Sequence, residues 1–188
     1  MTRRFILGAM ALALLAVGSK PVRRMAPQLI WNVSASAPPG FYVLGPVGDL
    51  KPGELVAVML PDPYARFAVA RGYVAPEIPI LKQVAALPGQ QICRSGSVVF
   101  VDGRHIADAL DRDGLGREMP VWEGCHVLRA GEIFLLNPKA RNSLDGRYFG
   151  PLPASVVIGR AVPIWIDPAP DEDGPVPASP PTTPSTTP

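Results

Sequence analysis

Between Leu29 and Ile166 the apolar side chains come in short runs with turn residues at their ends. Such runs read as strands, and this pattern restricts the chain to a mainly β fold before any motif is considered. "LVAVML", Leu55 to Leu60, follows the turn "KPGE". "VVFVDGRHI" sets Asp102-Gly103 between two runs, a strong signal for a two-residue hairpin. "GEIFLLN" and "SVVIGRAVPIWI" supply further strands. One short helix is expected, with Asp62 as N-cap, Pro63 at its first position, "YARFAVAR" as its body and Gly72 as C-cap. Ala107 to Glu123, rich in charge and glycine, reads as an excursion between hairpin strands. The sum is an antiparallel β domain with one small helix over residues 29–166.

The two ends differ from this middle. "MTRRFILGAMALALLAVGSK" puts Arg3 and Arg4 before an uncharged run from Phe5 to Gly18. That run is about fourteen residues, short of the ~20 that span a bilayer comfortably. A basic start before a short apolar stretch is the pattern of a secretory signal. Residues 1–28 are therefore read as a signal or anchor segment, either cleaved or retained. Lys20, Arg23 and Arg24 follow the run, so the distribution of positive charge does not fix its orientation. From Asp167 onward proline, serine and threonine dominate, and residues 167–188 are read as a disordered tail.

Net charge is +2 with no long basic block, which argues against nucleic acid as a partner. Two cysteines, Cys93 and Cys125, in an exported chain point to a disulfide worth about 3 to 4 kcal/mol by loop entropy; two unpaired buried thiols are the alternative. With no CxxC motif or Cys/His cluster, neither a metal nor a cofactor is expected.

The chemistry gathers in three stretches. "SASAPPG" sets Ser34 and Ser36 two residues apart before a rigid Pro38-Pro39-Gly40 bend. A serine nucleophile needs a base. Of the histidines, His105 follows the Asp102-Gly103 turn and His126 adjoins Cys125, so neither lies in a segment shaped for a site. "PILKQVAALPGQ" offers Lys82, which in a strand shares a face with Ile80 and Val84, and beyond them Ile78 and Ala86. Burial on such a face favours the neutral amine; the plainer alternative is a packed stem with its head in water. "NSLDGRYFGPLP" holds Ser143, whose hydroxyl can aim the amine, and Asp145 and Arg147, which can pair and fix that loop. Read alone, it is a polar turn before the core aromatics Tyr148 and Phe149.

In this order the three stretches resemble the type I signal peptidase family of Ser/Lys proteases. "SASAPPGFY" is similar to the family's nucleophile box, "ILKQVAALPG" to its lysine box and "NSLDGRYFGPLP" to its Ser-x-Asp-x-Arg-Tyr box. The resemblance implies Ser36 as nucleophile and Lys82 as general base, about 2.6 to 3.2 Å apart and somewhat looser without substrate. It implies Ser34 and the Ser36 N–H as oxyanion donors, Ser143 as the residue orienting Lys82, and Asp145 and Arg147 as support. Three positions depart from the housekeeping enzymes. Ala37 replaces a common methionine, "LLNPKAR" lacks the Gly-Asp-Asn lead-in, and Gly146 replaces a common serine. The cysteines, "RGYVAP" and "GEIFLLN" are more similar to the conjugative-transfer, TraF-type branch. That branch implies maturation of a pilin precursor, in some members by joining its ends into a circle.

The expected activity is therefore a serine endopeptidase acting beside small residues of an exported pilin or leader-bearing precursor, at the inner membrane facing the periplasm, or in the periplasm if the leader is cleaved. Leu29, Ile30, Trp31 and Phe41 either meet the membrane surface or pack in the core. A general leader peptidase is the alternative within the same class. Outside it stands a non-catalytic exported component of a secretion or conjugation apparatus, against which the occupied catalytic positions speak. Repressor-type autopeptidases also use a Ser/Lys pair, but an apolar leader stands here where their DNA-binding region belongs.

Overall fold

The computed structural model describes residues 28–167. The leader or anchor expected over 1–28 and the tail expected over 167–188 fall outside them, save for their innermost residues. The strands are β1 (Gln28–Asn32), β2 (Gly40–Gly45), β3 (Leu55–Val58), β4 (Ile80–Ala86), β5 (Gln91–Ser95), β6 (Val98–Val101), β7 (Arg104–Asp108), β8 (Gly124–Val127), β9 (Glu132–Leu136), β10 (Leu152–Pro153) and β11 (Val157–Ile166). They form a seven-stranded sheet, β1-β2-β11-β3-β4-β9-β10, and a four-stranded sheet, β7-β6-β5-β8. Every pairing is antiparallel. The mainly β reading thus holds.

β9 shows why one strand lacks alternation. Ile133 and Leu135 pack with Val56, Val58 and Val84 in one core cluster, joined by Tyr148 and Phe149. Phe134 and Leu136 point the other way, into a second cluster with Ile92, Val99 and Val101 of the small sheet. A strand covered on both faces reads as a continuous apolar run, as "EIFLL" does. β11 behaves differently along its length. Val157 to Gly159 pair with β3, Arg160 with both β3 and β2, and from Ala161 on the strand pairs with β2 alone. Pro163, which cannot donate to a ladder, sits in that singly paired half.

The turn at Asp102-Gly103 closes β6 onto β7 with φ of 47° and 74°, the left-handed pair that a type I′ hairpin requires. The expected excursion joins strands that are not neighbours: it runs from β7 to β8, on opposite edges of the small sheet. Cys93 and Cys125 stand directly opposite one another on β5 and β8 and form a disulfide.

The expected helix is α1 (Tyr64–Ala70). Pro63, not Asp62, is its N-cap. The Ala65 and Phe67 amides already reach the Pro61 and Pro63 carbonyls at 3.0 and 3.1 Å, and the Asp62 carboxylate turns out to Arg66 instead. At the other end Arg71 is the C-cap and Gly72 follows it. The Gly72 and Tyr73 amides bond the Val69 and Ala68 carbonyls, the two reversed bonds of a Schellman motif. A single further turn, α2 (Gly146–Phe149), forms where a plain polar turn was expected, because the Asp145 carboxylate accepts from the Arg147 amide. Ile78 and Ala86 are corrected as well: Ile78 precedes β4 and is exposed, and a register shift after Val84 turns Ala86 into the second cluster, so the Lys82 face runs from Ile80 to Val84.

α2 lies hard against β9. A Cβ on Gly146 would come within 2.5 Å of the Phe134 ring and 2.7 Å of the Leu135 carbonyl oxygen. The serine common at this position in housekeeping enzymes has no room here. Gly146→Ser should therefore lower unfolding stability by about 1 to 3 kcal/mol, measurable by urea denaturation; an unchanged midpoint would contradict this packing.

Candidate active site

Ser36 lies on the loop that turns β1 back into β2, with Asn32 opposite Gly40 at its base. Asn32 organises that loop. Its carboxamide nitrogen reaches the carbonyls of Ser34, Ala37 and Pro38 at 3.0 to 3.1 Å. Its Oδ1 accepts from the Ser34 amide at 3.1 Å and the Ser34 hydroxyl at 2.8 Å. The Tyr42 hydroxyl donates to the same Pro38 carbonyl at 2.6 Å. At Gly40, φ is +152°, and any Cβ would overlap the Trp165 carbonyl of β11. The Pro-Pro-Gly bend is thus fixed from both sides, and it leaves the Ser34 and Ser36 hydroxyl oxygens 3.1 Å apart.

Lys82 sits in the middle of β4, opposite Val56 of β3. The residue is only 3% exposed, so its head does not reach out to water. Its Nζ lies 2.9 Å from Ser143 Oγ and 3.4 Å from Ser36 Oγ. The second distance lies at the loose end of hydrogen bonding, as is common in a site without substrate. Burial lowers the lysine pKa from its ordinary 10.5 to about 8; nearby Asp145 pulls it back up and Arg147 pushes it down. A value near 8 makes about one molecule in ten neutral at pH 7, against roughly one in 2,500 for a free lysine.

Ser143 and Asp145 belong to the turn between β9 and α2. Asp145 and Arg147 are both buried and form a two-point ion pair: Nε to Oδ1 and Nη2 to Oδ2, each 2.9 Å. The rest of the Arg147 guanidinium gathers carbonyls, with Nη2 donating to Asn137 and Ala140 and Nη1 to Arg141 and Asp108. The Ser143 amide bonds Ala140, so the loop that carries this hydroxyl is closed on itself.

The structure therefore brings Ser34, Ser36, Lys82 and Ser143 into one hydrogen-bonded chain, with Asp145 and Arg147 behind Ser143. Cys93 and Cys125 lie apart, in the small sheet. So do the histidines: His105 pairs with Asp108 at 3.1 Å and His126 with Glu132 at 2.7 Å. Among the described residues, no three His, Cys, Asp or Glu side chains converge on a metal position. Asn32 and Asn137 were not singled out from the sequence. Asn32 had a local signal, since asparagine two residues before serine favours a side-chain turn. Asn137 had none, because its side-chain partners lie 54 to 101 residues away. The neutral form of an amine beside a hydroxyl can deprotonate that hydroxyl for attack on a carbonyl.

The family model described as "Signal peptidase, peptidase S26" matches residues 2–166. The chain belongs to the signal peptidase family. Within it, the chain is 32% identical to "Probable conjugal transfer protein TraF" of Sinorhizobium fredii, over 83% of this chain and 86% of that protein. It is 30% identical to "Conjugal transfer protein TraF" of Agrobacterium fabrum, over 88% of this chain and 98% of that protein. A solved signal peptidase I from Enterococcus faecalis aligns with a TM-score of 0.36 at 15% identity, covering 61% of this chain and 97% of that one.

The buried amine also leaves a mark on stability. Its folded-state pKa of about 8 lies below the ordinary 10.5, so between those values the folded state binds fewer protons than the unfolded chain. Stability then rises with pH across that window and is least below it. Lys82→Met keeps the aliphatic body and removes the titration. At pH 7 it should be more stable than the parent by up to about 3 kcal/mol, a gap that closes toward pH 10.5. Urea unfolding at both pH values measures this, and a gap independent of pH would contradict a depressed lysine.

Proposed function

We propose that this chain is a serine endopeptidase in which Ser36 is the nucleophile and Lys82 the general base. One observation carries the reading: the Lys82 amine is buried at 3% exposure, within 2.9 Å of the Ser143 hydroxyl oxygen and 3.4 Å of that of Ser36. Neutral Lys82 takes the Ser36 proton as Oγ attacks a peptide carbonyl. The Ser36 amide and the Ser34 hydroxyl, once its one hydrogen turns from Asn32 Oδ1, stabilise the oxyanion, at about 2.7 to 4 kcal/mol per donor. Lys82 then returns its proton to the leaving amine. Water, or an amine of the substrate itself, releases the acyl group from Ser36 through the same base. Ser143 aims the amine, and the Asp145–Arg147 pair holds Ser143 in place.

The substrate we propose is an exported precursor with small residues at the scission point, a pilin subunit of a conjugation apparatus. The names of the TraF relatives support conjugal transfer as the setting. Release by a substrate amine would close such a pilin into a circle. The working position is the periplasmic face of the inner membrane. Supporting it, Leu29 and Trp31 of β1 and Val33 at the start of the loop that carries Ser36 are exposed, together with Val162, Ile164 and Trp165 of β11. Phe41 lies between Trp31 and Trp165, at ring-centroid distances of 5.8 and 6.0 Å. A contiguous aromatic and aliphatic face of this kind suits a lipid interface.

Ser36→Ala and Lys82→Ala should each lower precursor processing by more than about a thousandfold. In the parent, kcat/KM should fall about tenfold per unit as pH drops below about 8, because only the neutral amine is competent. Mass spectrometry of the product separates the two release routes, since a circular product is lighter than the linear one by one water. Undiminished processing in either alanine variant would overturn the assignment.

A further inference from the structure

Asn137 follows the last residue of β9, where the main chain leaves the ladder. Gln83 of β4 pairs with Leu136, and the next rung would fall to residue 137. Its main chain is engaged elsewhere: the amide donates to Asp145 Oδ2 at 3.0 Å and the carbonyl accepts from Arg147 Nη2 at 2.9 Å. The side-chain carboxamide occupies the rung instead. Its Oδ1 accepts from the Gln83 amide at 2.9 Å, and its Nδ2 donates to the Leu81 carbonyl at 3.0 Å. These are the main-chain groups on either side of Lys82. The second Nδ2 hydrogen goes to the Ser36 carbonyl at 2.6 Å.

Resting on the peptidase reading above, we infer that Asn137 is a positioning residue, a single buried carboxamide that sets the separation between the Ser36 loop and the Lys82 strand. Three features make it suited to that work. It is 4% exposed, so water does not compete for its bonds. Both of its hydrogens and its oxygen are used, which fixes its plane. Among the described residues, its bond to Ser36 is the one hydrogen bond joining the main chain of loop 33–39 to β9 or the segment after it. β2, which continues that loop, neighbours β1 and β11 and not β4. The sheet alone therefore leaves the loop free to shift relative to Lys82, and Asn137 removes that freedom. The same residue also grips the third part of the site, since its main chain holds Asp145 and Arg147.

The test uses the full chain carrying Asn137→Ala or Asn137→Asp. Alanine deletes the bridge. Aspartate keeps its shape and its acceptor for Gln83 but turns an oxygen toward the Leu81 and Ser36 carbonyls. On a peptide spanning a small-residue scission site, both variants should keep KM within about twofold and lose about 10- to 100-fold in kcat, the scale for a reacting pair displaced by an ångström. Carbon-13 NMR of the lysine side chains should show Lys82 titrating at higher pH than in the parent. In the alanine variant the reason is that water enters; in the aspartate variant it is that a carboxylate stands nearby. If the alanine variant does not fold, the isosteric aspartate variant decides. A folded variant with parental kcat and an unmoved Lys82 titration overturns the inference, as does a kcat loss that only follows the folded fraction. A parent that cleaves nothing would instead remove the peptidase reading, while the Lys82 titration still reports whether Asn137 controls the amine.

Discussion

The chain's architecture turns on an amine that has been taken out of water. A lysine in the centre of a strand is a poor choice for stability, since burial penalises its charge and a neutral amine still needs polar partners. Lys82 is tolerated because its surroundings are rigid and polar at one point only. Ile80 and Val84, on its own face of β4, belong to an apolar cluster, and Val56 stands across the ladder. At its tip are hydroxyls in place of carboxylates. Hydroxyls accept from an ammonium and donate to an amine with little bias, so they orient the group without restoring its proton.

Charge balance around that tip matters as much as burial. Asp145 alone would draw the lysine pKa back upward; Arg147 opposes it. Because the pair is bidentate and buried, the carboxylate is largely spoken for. Arg147 is held by four main-chain carbonyls besides Asp145, which stiffens the turn carrying Ser143 and keeps the cation from moving toward Lys82. A bare aspartate at this position would leave the turn anchored but hold the lysine pKa higher. The ion pair therefore acts on the amine through electrostatics and on Ser143 through geometry, and the carboxylate alone would keep the second and lose the first.

Much of this was legible in the sequence where the information is local. Short apolar runs between turn residues fixed the strands, and Asp102-Gly103 marked its hairpin because that dipeptide tolerates positive φ. The period of two placed Lys82 among apolar neighbours on one strand face. Long-range partners were hidden. α2 forms only because Asp145 folds back onto the Arg147 amide, and its tight seat against Phe134 depends on which face of β9 that ring takes. Asp62 failed as a cap because main-chain carbonyls already satisfied the first turn, a tertiary outcome that propensity cannot register. Asn137 looked like the end of a strand, since nothing near it in the chain names Ser36, Leu81 or Gln83 as partners.

The small sheet has a part in the site although it contributes no group to it. Arg94, buried on β5, has carbonyls for partners and, among the described residues, no carboxylate: Gly96, Pro120 and, at 2.5 Å, Arg147. Trp122 donates its indole N–H to the Gly146 carbonyl at 2.9 Å. The Tyr148 hydroxyl accepts from the Leu110 amide at 3.0 Å. Three side chains thus tie α2 to the small sheet and the β7–β8 excursion. The Cys93–Cys125 disulfide joins β5, which carries Arg94, to β8, where the excursion ends. A polar turn of this length would otherwise be free to fray, and Ser143 would drift with it. Bracing α2 through the small sheet leaves the other end of the large sheet, at β1 and β2, free of that duty.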